Sequence, residues 1–545
     1  MKKYSSILPL IFASIIFIFL QSLVFNKELY FRDEGFLMNN AVRILNGEIP
    51  YRDFFLTTTP GTYYLQSLIF KFLGVHIILG RLLYIFCVIA LLIIMNFLLN
   101  NINVIYKTFI LLLTACVFVE KGAFAFYNIE GLILLLLAIS VYIYTWQNKN
   151  FSKKRIFLVG TIIGLLIIFK QSYGIYAVGA FTSLFFIYNH KNYKYAFKQL
   201  TFFLCGLLVI LTPFVGYYIW NKAFSQFIYF TFVFAQEVKW HRSAFILTSL
   251  LFIPLFLIVL HIIKRMPIKK AFVVFGIFLL GFFLLYLAIS PDRLGRILTY
   301  IKDPLIYYYG FLLTFPLLLI AYFANQNNKI VPYSVFLLSL FLASASSGRD
   351  YATVIMVFPL VILLCLELIR ITGRKYLVLV IIVYSLIPYI FFGQLLKSLS
   401  SLMTYKQLQL LQFEGIYLPP KTADEILSIV KFVQKKTNQN DTILCFPYCP
   451  LFNVLTQRKS GSYFSFFYPE TIRAKDQKRV IDDLKKNQTK IIILQKPGEI
   501  EKEALYENNR LSLLRNYFLS NYNPVFSSQN FVIYQINNSN KKLSP

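Results

Sequence analysis

Long apolar runs alternate with short polar segments over residues 1–403 of this chain. The first run, 6–25, is too long for the apolar part of a secretory signal peptide and has no small-residue cleavage site. We therefore interpret it as the first membrane span. Further runs of about 20 apolar residues, the length at which a helix crosses a bilayer, lie near 77–99, 106–120, 128–146, 156–170, 173–188, 199–220, 245–263, 271–289, 305–323, 331–345, 351–369 and 376–396. The pattern predicts a polytopic α-helical membrane protein with about thirteen spans.

The pattern changes at about residue 404, which divides the chain into a membrane domain, 1–403, and a C-terminal domain, 404–545. Thr422 followed by Glu425 is a capping-box pattern, and it predicts a helix from there to about Lys436. The segments that follow predict strands at 441–447, 490–496 and 531–536 and helices at 470–487 and 500–519. This alternation of helices and strands is typical of a small α/β domain.

Basic residues mark the predicted cytoplasmic side, because lysine and arginine are retained there during membrane insertion. They are concentrated in alternate loops: Lys149, Lys153, Lys154 and Arg155; Lys191, Lys194 and Lys198; Lys264, Arg265, Lys269 and Lys270; Arg370, Arg374 and Lys375. With the amino terminus inside and an odd number of spans, the first long loop, 26–76, and the C-terminal domain are both extracytoplasmic. The aromatic segment 221–243 is either an amphipathic helix in the membrane interface or an additional half-span that would change this count.

Composition supports the assignment as a membrane protein and indicates which class of partner the chain contacts. Hydrophobic residues make up 58% of the chain and charged residues 14%, a balance that a soluble globule of this length cannot accommodate. The net charge of +30 comes mostly from cations between apolar runs, which indicates lipid rather than nucleic acid as the partner. The six cysteines are scattered and define no metal site. Cys445 and Cys449 form either a disulfide, if their domain is exported, or two half-buried thiols.

Ionisable residues gather at the outward ends of the predicted spans rather than at their centres. They are Asp33, Glu34 and Asp53; Glu120, Lys121 and Glu130; Lys170; Glu237, Lys239, His241 and Arg242; Asp292, Arg293 and Arg296; and Arg349 and Asp350. Cations at this level can hold the phosphate of a lipid, and a carboxylate can take a proton from an attacking hydroxyl. Transfer of a sugar from a lipid phosphate needs both, and Asp33 is the natural base. A divalent cation could also bind among the acids, although no ligand spacing requires one.

The same residues have structural interpretations. The acid pair at 33–34 could cap the helix that follows it, and Asp53 could belong to a turn. Glu130 could be a helix-end acid, and Lys170 could extend to the lipid headgroups. The adjacent charges at 349–350 could simply neutralise one another.

Two other functional classes compete with sugar transfer. A multi-span transporter or lipid flippase would have interrupted helices in matched halves and ionisable residues at the membrane midplane, and the sequence has neither pattern. A structural protein of the envelope would need no acid pair. The sequence also contains no internal repeat and no glycine-rich nucleotide loop, which favours a lipid-linked sugar donor over a nucleotide sugar.

The stretch FRDEGFLMNNAVRILNGEIPYRDFF, continuing into TTTPGTYYLQSLIFKFLG and GRLLYIFCVIALLII, resembles the amino-terminal region of bacterial membrane glycosyltransferases of the GT-C fold. This broad family includes the protein O-mannosyltransferases and the lipid A aminoarabinose transferase. The resemblance continues at YNIEGLILLLLA, FKQSYGIYA and GRDYATVIMVFPLVILL, and DTILCFPYCPLFNVLTQRKSGS resembles the external domain of many bacterial members.

The resemblance implies an enzyme of the bacterial cytoplasmic membrane that takes a sugar from a polyprenyl-phosphate donor, usually with inversion of the anomeric centre. The acceptor would be a glycan, a lipid or a protein. Catalysis would fall to Asp33, with Glu34 shaping the site or contacting the acceptor. The implied substrate-binding residues are Asp53, Glu130, Lys170, Arg349 and Tyr351. One departure is that TTTPGTYYL stands where many members have HKPPL, so that Thr58 or Thr59 replaces a cation that could meet the phosphate. Either residues elsewhere in this chain contact the donor, or the donor differs.

Overall fold

The computed structural model describes residues 7–100, 102–120, 122–147, 152–189, 191–234, 329–347, 351–372, 404–467, 472–496 and 511–537. The helices of the membrane domain in this part are α1 (Leu8–Ser22), α2 (Asp33–Leu45), α3 (Gly61–Leu73), α4 (Ile77–Leu98), α5 (Val104–Val117), α6 (Tyr127–Gln147), α7 (Lys153–Phe169), α8 (Gln171–Tyr188), α9 (Tyr193–Trp220), α10 (Phe224–Ile228), α11 (Ile330–Ser347) and α12 (Tyr351–Thr372). Apart from α2, α3 and α10, each of these helices coincides with a predicted span. The spans predicted near 245–263, 271–289, 305–323 and 376–396 lie outside the described residues.

Among the described helices, α4, α6 and α9 are long and apolar enough to cross a membrane. Helix α9 packs against α7 through glycine. A Cβ atom on Gly160 of α7 would lie 2.0 Å from the carbonyl oxygen of Phe203, and one on Gly206 of α9 would lie 2.0 Å from that of Phe157. Glycine therefore allows the two backbones to touch, as small residues do in other pairs of membrane helices.

Successive helix ends alternate between two faces of the membrane domain. The Gln21 side chain, near the end of α1, donates a hydrogen bond to the carbonyl oxygen of Glu120, which follows α5, at 2.8 Å. Tyr218, near the end of α9, contacts Tyr51 of the first long loop with 5.5 Å between ring centroids. The basic turns between α6 and α7 and between α8 and α9 lie at the opposite helix ends. This arrangement is the alternation that the distribution of basic residues requires.

The loop 26–76 contains two helices. The polar helix predicted after the acid pair is confirmed as α2, and α3, which packs against it, has no counterpart in the sequence prediction. The guanidinium of Arg43 in α2 pairs with Glu48 at 2.7 Å and donates to the carbonyl oxygen of Asp53 at 3.0 Å. The loop is therefore a folded cap over the helix ends rather than an extended connection.

The C-terminal domain contains helices packed with a mixed sheet. Its elements are β1 (Lys406–Gln407), β2 (Tyr417–Leu418), α13 (Pro420–Lys436), β3 (Thr442–Phe446), α14 (Leu451–Thr456), β4 (Lys459–Ser460), α15 (Ala474–Lys486), β5 (Ile491–Gln495), α16 (Ser512–Asn521), β6 (Tyr522–Ser527) and β7 (Phe531–Ile536). Strands β1 and β2 form a separate antiparallel pair, and the other strands form one sheet in the order β4-β3-β5-β7-β6. Strands β3, β4 and β5 are parallel, whereas β7 is antiparallel to β5 and β6. The strands predicted at 441–447, 490–496 and 531–536 are confirmed, and both cysteines of the domain, Cys445 and Cys449, are free buried thiols.

The predicted capping box of this domain is wrong. Helix α13 begins at Pro420 rather than at Thr422, and its N-cap makes no side-chain hydrogen bond. Proline is favoured in the first turn because its missing N–H has no intrahelical partner there. Glu425 instead accepts hydrogen bonds from the backbone and side-chain amides of Asn530 at 2.6 and 2.8 Å, which attaches α13 to the turn before β7.

The C-terminal domain packs directly on the loop 26–76. A Cβ atom on Gly35 of α2 would lie 2.7 Å from the Cβ of Leu451 in α14, so glycine sets the distance between these helices. The Tyr463 hydroxyl donates to the carbonyl oxygen of Tyr51 at 2.7 Å. Two hydrophobic clusters contain residues of both parts. The loop and the domain therefore lie on the same face of the membrane domain.

Candidate active site

Asp33 is the first residue of α2, where the chain that leaves α1 turns into the helix. Its side chain is 65% exposed, and one carboxylate oxygen lies 4.0 Å from the guanidinium of Arg32, whose side chain is 50% exposed. The N-cap position belongs to Arg32, which makes no side-chain cap hydrogen bond. Asp33 thus faces solvent at the amino end of a helix, where the helix dipole favours an ionised carboxylate.

Glu34 occupies a different environment from its neighbour. It is 1% exposed, and its carboxylate accepts two hydrogen bonds from the guanidinium of Arg81, at 2.8 and 2.9 Å. Arg81 is fully buried and also donates to the carbonyl oxygens of Phe25 and Glu28, at 2.8 and 2.7 Å. This pair ties the first turn of α2 to α4. Its signal in the sequence was a lone arginine within an apolar run, which is expected to have a partner.

Tyr63 of α3 is a member of the site that the sequence analysis missed. Its side chain is 1% exposed. Burial raises the pKa of its phenol, a hydrogen bond with the Thr58 side chain acts to lower it, and the negative charges of Asp33 and Glu130 raise it, so that the pKa lies above its ordinary value. The hydroxyl therefore stays protonated at neutral pH and can donate a hydrogen bond close to both acids. Its signal was its place in TTTPGTYYL, the segment in which this chain departs from the family pattern.

Glu130 lies in the first turn of α6 and is 5% exposed. One of its carboxylate oxygens accepts a hydrogen bond from the hydroxyl of Thr62, which joins α6 to the beginning of α3. The other oxygen, Oε1, has no hydrogen-bond partner among the residues that the structure describes. A buried acceptor in this state can receive a hydrogen bond from a bound hydroxyl group.

Lys170 lies at the break between α7 and α8 and is 3% exposed. Its ammonium nitrogen is 3.9 Å from the ring centroid of Tyr127 and 5.6 Å from that of Tyr173, distances at which a cation is attracted to an aromatic face. The next residue, Gln171, accepts hydrogen bonds from the amide and the hydroxyl of Thr59, both at 3.1 Å. The break thus holds the threonine segment in place and keeps a buried cation beside the first turn of α6.

Asp53 stabilises a turn of the loop. Its carboxylate accepts a hydrogen bond from the amide of Ile49 at 2.8 Å and pairs with Arg52 at 2.8 Å. Partial burial acts to raise the pKa of Asp53, but the hydrogen bonds from Arg52 and Ile49 outweigh it and lower this pKa. These contacts agree with the interpretation of Asp53 as a residue of a turn.

The structure describes only part of the remaining predicted site residues. Arg349 lies outside the described residues, and Tyr351 begins α12 but its side chain is not described.

The aromatic segment is described as far as residue 234, where α10 leads into a π-helical turn at Tyr229–Val233. This part packs between the loop and the C-terminal domain, with ring centroids of Phe230 5.1 Å from Phe55 and 6.1 Å from Tyr463. The described part of this segment therefore lies on the same face of the membrane domain as the loop 26–76.

The fold therefore brings Asp33, Glu34, Tyr63, Glu130 and Lys170 to one face, where the amino ends of α2, α3 and α6 meet the break between α7 and α8. The arrangement combines the exposed carboxylate of Asp33 with buried hydrogen-bond donors and acceptors and with the buried cation of Lys170. Within the described ranges, no cluster of three or more histidine, cysteine or acidic side chains could hold a metal ion. The chemistry that these residues can perform is proton transfer at an exposed acid next to a binding surface for polar groups.

Comparison with known proteins gives structural neighbours only. No family model and no curated protein matches the chain. The archaeal oligosaccharyltransferase AglB from Archaeoglobus fulgidus, in complex with an inhibitory peptide and a dolichol-phosphate, has 11% sequence identity and a TM-score of 0.43, covering 99% of this chain and 75% of AglB. ArnT from Cupriavidus metallidurans bound to undecaprenyl phosphate has 13% identity and a TM-score of 0.46, with 97% of both chains covered. Apo ArnT from the same organism has 14% identity and a TM-score of 0.46, with 96% of both chains covered. These neighbours are membrane glycosyltransferases of the GT-C fold, the class that the sequence motifs resemble.

Proposed function

We propose that this protein is an integral membrane glycosyltransferase that moves a sugar from a polyprenyl-phosphate donor to an acceptor on the extracytoplasmic side, with Asp33 as general base. The observation that carries the proposal is the difference in exposure among the predicted acids. The side chain of Asp33 is 65% exposed, whereas Glu34 and Glu130 are buried and Asp53 is bonded within a turn. Among the four predicted site acids, all of which lie in the described part of the chain, Asp33 is thus the most exposed to a substrate.

In the proposed reaction the acceptor hydroxyl gives its proton to the Asp33 carboxylate as its oxygen attacks the anomeric carbon. The bond between that carbon and the phosphate oxygen breaks, and the phosphate leaves with the electron pair. A single displacement of this kind inverts the anomeric centre, because attack and departure occur on opposite faces of the sugar. General-base assistance of this type contributes about a hundredfold to ten-thousandfold in rate.

The neighbouring residues would prepare this step. The Glu34–Arg81 pair holds the first turn of α2, and with it the backbone of Asp33, in one position. The protonated Tyr63 hydroxyl can donate a hydrogen bond near the base, and Glu130 can accept one from the sugar or the acceptor. Lys170, Arg349 and Tyr351 stay proposed contacts of the donor. Asp53 would act through the shape of the loop.

The location at the membrane surface suits a lipid-linked donor. The polyprenyl chain can remain in the bilayer beside α4, α6 and α9, while its phosphate and sugar reach the level of the helix ends. The loop and the C-terminal domain lie on this same side of the membrane domain, where an acceptor would have to approach.

Purified protein in proteoliposomes, given a panel of polyprenyl-phosphate sugars and candidate acceptors, tests the proposal. We expect release of polyprenyl phosphate with at least one donor. Turnover of nucleotide sugars in the same vesicles, with every lipid-linked donor left intact, would contradict it.

A further inference from the structure

Arg32 stands next to the proposed base and is held by the other domain. Its guanidinium lies 5.3 Å from the ring centroid of Tyr448 and 5.4 Å from that of Phe466, distances typical of cation–π contact. Its side chain is still 50% exposed and lies 4.0 Å from Asp33. The guanidinium is therefore in contact with two aromatic rings while half of the side chain remains exposed.

Both rings belong to the C-terminal domain and are fixed in turn. Tyr448, which follows β3, is 6% exposed, and its ring centroid is 5.2 Å from that of Phe466. Phe466 contacts Phe36 of α2 at 5.7 Å, and Phe36 contacts Tyr63 at 6.0 Å. A continuous row of rings thus extends from the domain, past the first turn of α2, to the tyrosine beside the acids.

Three other described cations near the acid pair are buried. Arg81 is fully buried and bonded to Glu34, and Arg43 is 7% exposed and paired with Glu48. Lys170 is 3% exposed among tyrosine rings. Arg32 differs from these three in combining half exposure with contact to Asp33.

We propose that Arg32 binds the phosphate of the lipid-linked donor and that Tyr448 and Phe466 position its guanidinium, so that the C-terminal domain completes the site. This inference rests on the proposed function. An arginine side chain offers a planar set of N–H donors that matches phosphate oxygens, and its contacts with the two rings restrict the positions that the guanidinium can take. When the bond from the anomeric carbon to the phosphate oxygen breaks, this oxygen takes the electron pair, and Arg32 donates hydrogen bonds to the negative charge that develops there.

Binding of undecaprenyl phosphate to the full-length protein in nanodiscs tests the cation. Arg32→Gln should raise the Kd by about tenfold to a hundredfold, the loss expected for a hydrogen bond to a charged group. Arg32→Lys should recover part of the affinity, because it keeps the charge and loses the planar donors. The matched control is Arg52→Gln, which removes the same charge from another arginine of the loop that also pairs with the aspartate after it, and it should leave the Kd unchanged. Wild-type affinity in Arg32→Gln would overturn the inference.

The role of the domain is tested by coupling between the rings and the cation. Tyr448→Leu and Phe466→Leu should each weaken binding severalfold, whereas Tyr448→Phe, which keeps the ring, should not. In the Arg32→Gln background the leucine substitutions should have no further effect on the Kd, because residues that act through one contact are not additive. An equal loss in both backgrounds would mean that the rings act on the fold at large and would overturn the positioning role. If wild-type protein neither bound undecaprenyl phosphate nor released it from any donor, the proposed function itself would fail, and this inference with it.

Discussion

Two adjacent acids, Asp33 and Glu34, differ in what surrounds them. Their local sequence pattern is the same, a carboxylate pair directly after a span, and only the family resemblance separates their roles, by implying that Asp33 is the catalytic acid. The difference comes from Arg81, which lies in another helix and reaches Glu34 alone. Local pattern can mark a lone arginine in an apolar run as a residue that needs a partner, but it does not show which distant segment supplies that partner, nor that Tyr63 lies close to the acids. What it could predict was the loop and its acids.

The different surroundings of Asp33 and Glu34 predict different losses of stability when either carboxylate is removed. Glu34→Ala would leave the buried guanidinium of Arg81 without its counterion, and breaking a buried pair in this way costs about 3–5 kcal/mol of stability. Asp33→Ala removes an exposed carboxylate and should cost about 1 kcal/mol or less. Thermal unfolding of the purified variants in one detergent measures both. Equal melting temperatures for Glu34→Ala and the wild type would show that the pair does not hold α2.

Helices and strands could be predicted from the sequence where the pattern of hydrophobic residues was strong. The spans within the described part, the helix α2 and strands β3, β5 and β7 lie where apolar length or alternation predicts them. Strand β6 was not predicted because it contains Pro524, which lacks a backbone donor. It is tolerated because β6 is the edge of the sheet and its pairing with β7 shifts between Pro524 and Phe526. Helix α3 was missed because it carries apolar side chains on its exposed side as well, among them Leu68 and Phe72.

The contact between α2 and α14 predicts a sharp effect of one methyl group. In Gly35→Ala the new Cβ would meet the backbone and Cβ of Leu451 at 2.7 Å, so one helix must move. Overpacking of this kind costs about 1–3 kcal/mol, and the shift would also disturb Asp33 two residues away. We expect a lower melting temperature and reduced sugar transfer.

The control for this prediction is Gly179→Ala in α8, where an added Cβ would have no atom within 4 Å. Alanine is favoured over glycine within helices by about 0.5–1 kcal/mol, so this variant should be as stable as the wild type or more so. Identical melting curves for the two variants would argue against direct contact between α2 and α14.

For the whole molecule, the shared cores of the loop and the C-terminal domain constrain the topology. Because the loop 26–76 and the described parts of the C-terminal domain lie on one face, the chain must cross the membrane an even number of times between them. The twelve spans predicted after this loop meet that condition. Which side of the membrane this face occupies follows from the basic residues alone, and it stays a prediction.

Reporter fusions test this orientation. A periplasmic-type reporter fused after Leu543 should be active only if exported, and we expect activity. The same reporter fused after Asn189, in a basic turn at the opposite helix ends, should be inactive. Activity restricted to the fusion at Asn189 would invert the topology and place Asp33 on the cytoplasmic side.

The central claim is that Asp33 is the base of a lipid-linked sugar transfer, and the most direct measurement is the rate of polyprenyl phosphate release by the wild type and by Asp33→Asn in the same proteoliposomes. Asparagine keeps the size of the side chain and loses only the interaction of the charge with the helix dipole, about 0.3–1 kcal/mol, so the melting temperature should change little. Loss of the proton acceptor should slow release by about a hundredfold to ten-thousandfold. Wild-type rates in Asp33→Asn, with the fold intact, would contradict the assignment.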